Sequence, residues 1–213
     1  VNPYTRHIES FTQKSKDRVL QTISFEEIKQ IKVLRDLPST LENARKWILI
    51  GLYIGQRVSD LLALKPSQLR FIESGVYIDI NQQKTDKYVT VGVVDKEVIQ
   101  ILKQRFPYAI SPQLFNRQIK QICQIAGLND MVSGYKLCPK TRRKRLGTHP
   151  KYSLISSHDL RRSFATNYFG KIETPILMQI TGHSKESTFL SYIGSQVNKD
   201  TYADAFMKVA VTL

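Results

Sequence analysis

The stretch Ser157-His158-Asp159-Leu160-Arg161-Arg162-Ser163-Phe164-Ala165-Thr166 decides how the rest of the chain is read. Ser156 and Ser157 can cap a helix that begins at His158, because a serine hydroxyl satisfies N–H groups that the first turn leaves free. On that helix His158 and Arg161 are three residues apart and share a face. Leu160, Phe164 and Tyr168 fall on another face that can anchor in a core. The helix dipole favours anions at this end, so a histidine and an arginine on the first turn suit a phosphate. A solvated Arg/His pair is the ordinary alternative, and the neighbouring sequence decides between them.

Downstream, Gly182-His183-Ser184 reads as a turn between two helices, and Tyr192 follows His183 by nine residues at the end of the second. Upstream, Gly55-Gln56-Arg57-Val58-Ser59-Asp60-Leu61 places an arginine between two helices, just before a strongly apolar stretch. Taken singly, a loop arginine is a solvated charge and a tyrosine a packing residue. Arg57, His158, Arg161, His183 and Tyr192 in that order form a set.

The intervening pattern is helical, then alternating, then helical. Ser24-Phe25-Glu26-Glu27 is a capping box opening a first helix, and Ser39-Thr40-Leu41-Glu42 reads as a second box whose helix ends near Gly55. A short helix from Ser59 is stopped by Pro66. Val76, Ile78 and Ile80 alternate with Tyr77 and Asp79, and Val89, Val91 and Val93 alternate again beyond Lys84-Thr85-Asp86-Lys87. This predicts a hairpin with lysines at its tip. Helical patterns return at 95–105 and 112–126, and a second hairpin falls within 131–155. Thr174-Pro175 caps a helix closed by Gly182, Ser184 caps the next, and Asn198 opens a final amphipathic helix over 198–210. The fold class is mixed and mostly α, with a small antiparallel β-sheet and hairpins.

Among the 213 residues, 32 Lys and Arg against 18 Asp and Glu leave a net charge of +14, which points to a polyanionic partner. No apolar run approaches the ~20 residues of a membrane span. Cys123 and Cys138 sit in neither a disulfide framework nor a zinc spacing, consistent with a reducing, cytoplasmic setting.

In these boxes the chain resembles the catalytic domain of the tyrosine recombinases, the integrase family of phages, transposons and bacterial chromosome-resolution systems. Gly55-x-Arg57-x-Ser59-Asp60-Leu61, His158-x-x-Arg161 with its Phe-Ala-Thr continuation, and Gly182-His183 with Tyr192 carry the resemblance over about residues 24–210. The wording Ile180-Thr-Gly-His183 and Phe189-Leu-Ser-Tyr-Ile193 is most similar to integrases of Bacteroidetes-type mobile elements. The family also uses a lysine on the hairpin after the first box. Lys84, 27 residues past Arg57, resembles it, with Lys87 as the competing position and Asp86 departing from the family's glycine.

The resemblance implies a site-specific recombinase that cleaves and rejoins DNA through a 3′-phosphotyrosyl intermediate at Tyr192, with no metal, ATP or other cofactor. It assigns Arg57 and Arg161 to the phosphate charge, His158 to the phenol proton or the phosphate, His183 to a phosphate oxygen, and Lys84 to the leaving 5′-oxygen. Tyr202, spaced with Phe206 and Val209, reads as a packing residue. The other readings of the same residues are a type IB topoisomerase and a catalytically silent DNA-binding module.

Double-stranded DNA is the implied partner. Lys87, Lys140, Arg142, Arg143, Lys144, Arg145 and Arg162 are candidate phosphate contacts, the middle five within a run from Lys136 to Lys151 that contains no acidic residue. The family implies a homo-oligomer, a tetramer on bacterial nucleoid DNA, with helix 198–210 docking either on a neighbour or on its own domain. Residues 1–22 read as a linker to an N-terminal DNA-clamping domain that this chain does not contain, and 23–213 as the catalytic domain.

Overall fold

In the computed structural model, residues 19–138, 141–194 and 207 are described. The expected helix 198–210, Lys140 and most of the linker lie outside the described residues. The elements run α1 (Phe25–Lys32), α2 (Ser39–Ile54), α3 (Val58–Leu62), β1 (Leu69–Ile72), β2 (Gly75–Gln82), β3 (Lys87–Val93), α4 (Lys96–Gln104), α5 (Pro112–Ile125), β4 (Met131–Leu137), β5 (Lys144–Pro150), α6 (Ser157–Tyr168), α7 (Thr174–Thr181) and α8 (Glu186–Ile193). The architecture is mixed and mostly helical, with antiparallel sheets β1-β2-β3 and β4-β5.

The centre of the molecule is α2, which is apolar almost all round: Ala44, Trp47, Ile48, Leu49, Ile50, Leu52 and Ile54 are all buried. Such a helix must be covered on several sides, and α5 and α6 pack against it with α1, α3 and α4. The sheet closes the core with Val76, Ile78 and Ile80 of β2 and Val89, Val91 and Val93 of β3, the alternation expected of a half-buried strand pair. A second cluster, Phe164, Ala165, Leu177, Phe189 and Ile193, welds α6, α7 and α8 together.

Several boundaries differ from the sequence reading for local reasons. The Ser24 box forms as expected, with Ser24 N–H donating to the Glu27 carboxylate at 2.7 Å. At the second box Pro38 is the cap and Ser39 is already helical, so Glu42 instead accepts from Arg45 at 2.7 Å. α3 starts at Val58 with Arg57 at its cap and ends at Leu62, well short of Pro66. Glu173 and Lys185, not Thr174 and Ser184, occupy the caps of α7 and α8. Strand β1 escaped the sequence reading because its side chains are largely exposed and it is only four residues long.

Candidate active site

Arg57, Lys84, His158, Arg161, His183 and Tyr192 line one cleft of about 410 Å³, together with Val58, Ser59 and Ser157. They come from four places in the fold: the α2–α3 turn, the β2–β3 turn, the first turns of α6, and the α7–α8 pair.

The local backbone explains each placement. Gly55 ends α2 in the left-handed region at φ 63°, turning the chain so that Arg57 caps α3. A Cβ at this position would collide with the Phe164 ring. The first turn of α6 is fixed by a capping box in which Ser156 N–H donates to the Asp159 carboxylate at 2.9 Å. Gly182, also left-handed at φ 64°, ends α7 and projects His183.

Arg161 is 2 % exposed and spans two of these turns. Its Nη1 donates to the Gly55 carbonyl at 3.1 Å and its Nη2 to the Thr181 carbonyl. Burial brings its pKa down to about 10, so it stays charged at neutral pH. Arg57 Nη1 is buried and has no hydrogen-bond partner among the described residues. A shielded guanidinium nitrogen without an acceptor is poised for an anionic oxygen.

Tyr192 is enclosed by rings and cations. Its centroid lies 5.1 Å from that of His158 and 4.9 Å from that of His183. Its hydroxyl donates to the His158 carbonyl at 3.3 Å. Burial raises its pKa, against the opposing pull of Arg161 and Arg162, so the resting phenol holds its proton. His158 is exposed as a residue, yet partial burial of its ring and then Arg162, Arg161 and Arg57 hold its pKa below the ordinary value. His183 is pushed down to about 4, first by burial and then by Arg161 and Arg57.

Thr181 sets the His183 tautomer. Its Oγ1 lies 2.6 Å from the Leu177 carbonyl and 2.8 Å from His183 Nδ1. A carbonyl only accepts, so the Thr181 proton goes to Leu177 and His183 Nδ1–H donates to Thr181. Neutral His183 therefore carries its lone pair on Nε2.

The structure separates the two candidate lysines. Lys84 sits on the exposed turn and lines the cleft, whereas Lys87 opens β3 opposite Gln82 and lines a different cavity with α7. Arg162, a candidate phosphate contact in the sequence, requires a correction, because its guanidinium is buried and committed within the protein. At 9 % exposure its guanidinium pairs with Asp159, donates from Nε to the Tyr192 carbonyl at 3.1 Å, and lies 5.1 Å from the Tyr192 ring centroid. One helical residue beyond Arg161 rotates it about 100°, toward α8 rather than the cleft.

Arg142, Arg143, Lys144 and Arg145 are exposed on the β4–β5 hairpin. Lys144 lines a cavity of about 490 Å³ shared with His158, Asp159 and Arg162, so the basic hairpin adjoins the cleft. Lys151 is committed elsewhere, in a 2.5 Å ion pair with Glu27. The sequence reading missed Thr181, Gln56 and Gln82, single uncharged residues that join no motif on their own.

The fold and a cationic cleft built around a tyrosine define the class to which the molecule belongs. The chain is a member of the phage integrase family, whose family model matches residues 21–199. Among solved structures it is similar to the XerH site-specific recombinase bound to difH substrate in a pre-cleavage complex, at 19% identity and TM-score 0.63, over 88% of this chain and 54% of that one. It is similar to a lambda integrase(75-356) dimer bound to a COC′ core site at 17% identity and TM-score 0.58, over 88% and 63%. A lambda integrase tetramer bound to a Holliday junction matches at 18% identity and TM-score 0.53, over 82% and 49%. The chain thus spans about half the length of the first of these, and no curated protein matches it by sequence. Among the described residues no helix is long and apolar enough to cross a membrane.

Proposed function

We propose that this chain is the catalytic part of a site-specific DNA recombinase that breaks and rejoins strands through Tyr192. The observation that carries the reading is the convergence of Arg57, Lys84, His158, Arg161, His183 and Tyr192 on one cleft from distant parts of the chain.

A scissile phosphodiester enters between Arg57 and Arg161, and its non-bridging oxygens take up the free Arg57 Nη1 and the remaining Arg161 donors. The Tyr192 phenol leaves the His158 carbonyl, its proton passes to the His158 ring, and Oη forms a bond to phosphorus as the bond to the 5′-oxygen breaks. Lys84, on an exposed turn, supplies the proton that the 5′-oxygen needs to leave. As phosphate charge arrives, His183 takes up a proton from solvent at Nε2, keeps it, and donates a hydrogen bond through it to a non-bridging oxygen. The phosphotyrosyl bond stores the phosphodiester's energy, and attack by a 5′-hydroxyl of another strand reverses every transfer.

Rejoining between duplexes requires several copies on DNA. Lambda integrase solved as a tetramer on a Holliday junction supports this reading for a relative of the same fold. Arg142, Arg143, Lys144 and Arg145 would then hold flanking phosphates.

The test is a pool of nicked duplexes with a randomised centre, from which covalent adducts resistant to denaturant are captured and sequenced. Adducts should form with the 213-residue chain and vanish for Tyr192→Phe. Arg57→Ala and Arg161→Ala should lower the adduct yield by ~100-fold or more while duplex binding persists. Adducts that persist with Tyr192→Phe would remove Tyr192 as the nucleophile.

A further inference from the structure

The three turns that carry Arg57, Lys84 and His183 are joined behind the cleft by two buried glutamines. Gln56 is 1 % exposed and Gln82 is 0 % exposed. Gln82 Nε2 donates to Gln56 Oε1 at 2.8 Å and to the Ile180 carbonyl at 2.9 Å. Gln56 Nε2 donates to the same Ile180 carbonyl at 2.9 Å and to the Ile54 carbonyl at 3.0 Å. Thr85 completes the chain by donating its hydroxyl proton to Gln82 Oε1 at 2.9 Å. Because the two carbonyls only accept, the orientation of both amides is fixed. Every side-chain N–H of the pair is used.

Each glutamine stands beside a cleft residue. Gln56 immediately precedes Arg57, Gln82 lies two residues before Lys84, and Ile180 lies three before His183. The Ile180 carbonyl belongs to the last turn of α7, whose carbonyls have no helical partner. Gly182 fits the same contact, since a Cβ there would land on Gln82 Oε1. The Lys84 turn itself is exposed and otherwise held by Gln83 N–H donating to Asp60 at 3.1 Å and by backbone bonds from Thr85 and Asp86 to the Gln82 carbonyl. A neutral amide pair satisfied on every donor holds its geometry at little electrostatic cost, whereas a charged residue would perturb Arg57 and His183.

We infer that Gln56 and Gln82 are positioning residues, a buried latch that makes the Lys84 turn move as one unit with the turns of Arg57 and His183. The inference rests on the function proposed above. Its chemical consequence is that the lysine's proton is delivered in register with the phosphate clamp, since a displacement of about 1 Å in such a group can cost ~100-fold in rate.

Two measurements on the 213-residue chain test it, with Gln82→Met, Gln56→Met and the gentler Gln82→Asn, which stays a neutral amide but is one methylene too short to span both Gln56 and Ile180. The first is backbone hydrogen exchange without DNA. Either methionine variant should speed exchange about 5- to 10-fold at Thr85 and Asp86 and also at Gly182 and His183, as expected for a lost buried hydrogen bond. Loosening confined to the turn that carries the substitution overturns the latch.

The second compares adduct formation on a nicked duplex recovered from the selection with the same duplex bearing sulfur at the bridging 5′ position, a leaving group that needs no proton. Lys84→Ala should lose activity on oxygen and regain it on sulfur. If it does not, the assignment of Lys84 as acid fails, and the exchange result alone judges the latch. Gln82→Met and Gln82→Asn should fall about 10- to 100-fold on oxygen with duplex affinity within about twofold, and recover on sulfur. Recovery of Lys84→Ala without recovery of the glutamine variants means that the pair does not act through Lys84. A methionine variant that fails to fold leaves Gln82→Asn to give the same two outcomes.

Discussion

Arg162 bridges α6 to the segment that carries Tyr192: Nε donates to the Tyr192 carbonyl at 3.1 Å, and Nη1 pairs with Asp159, the carboxylate of the α6 capping box. The clamp ties the start of α6, with His158 and Arg161, to the end of α8. It also places a cation 5.1 Å from the phenol ring, worth ~1–2 kcal/mol where water is largely excluded.

Arg162→Gln should therefore lower the rate of adduct formation by about 10- to 100-fold while leaving duplex affinity within about twofold. A pH profile separates positioning from general loosening. His158 accepts a proton only when neutral, so the rate at low enzyme concentration should rise with pH through its depressed pKa, below 6.5. Arg162 is the largest of the cations holding that pKa down, after burial. Removing it should move the acid limb toward 6.5. A slower enzyme with an unmoved limb would deny Arg162 its electrostatic part.

Stability should carry the mark of His183. With a pKa of about 4 in the native chain against 6.5 when exposed, His183 stays neutral in a window where the unfolded chain binds a proton. The stabilisation is thus fully present above about pH 6.5 and is lost as pH falls toward 4. Allowing for screening by solvent, the loss should be ~1–2 kcal/mol, or roughly 2–8 °C in Tm. His183→Gln should flatten that part of the Tm–pH curve, and identical curves for the two proteins would refute the assignment.

The helical frame and the pairing of His158 with Arg161 were legible in the sequence because each obeys a local rule. Gly55 and Gly182 announce left-handed helix ends, and His158 and Arg161 share a face by spacing alone. The support behind them was not legible. Gln56, Gln82 and Thr181 act through partners between 2 and 124 residues away, and an isolated amide or hydroxyl carries no periodic signal of where it points. Arg162 was misread for the same reason. Its neighbour Arg161 sets an expectation of exposed basic character, and only the approach of α8 turns it into a buried clamp.

Gly55 and Gly170 offer a paired test of how tightly α6 is packed behind the cleft. Both adopt positive φ, at 63° and 75°, but a Cβ at Gly55 would strike the Phe164 ring whereas one at Gly170 meets nothing within 4 Å. Gly170→Ala should cost only the conformational ~1 kcal/mol. Gly55→Ala adds overpacking against a core ring and should cost ~2–4 kcal/mol. Urea midpoints measure both, and equal costs would mean that Phe164 yields freely.

The basic hairpin can be tested on any duplex, without knowledge of the recombination site. Phosphate contacts release counterions, so each lost contact should lower the slope of log K against log salt by about 0.9. Changing Arg142, Arg143, Lys144 and Arg145 together to Gln should reduce the slope by between ~2 and ~3.6, the upper value if all four meet phosphates. Lys29→Gln, on the exposed face of α1 in a pair with Glu26, supplies the control and should leave the slope unchanged. Nonspecific affinity at low salt should fall in parallel, uniformly across sequences, because these side chains would read charge and not bases. A slope that survives the fourfold change would move the DNA path off this hairpin and onto the cations of the cleft rim.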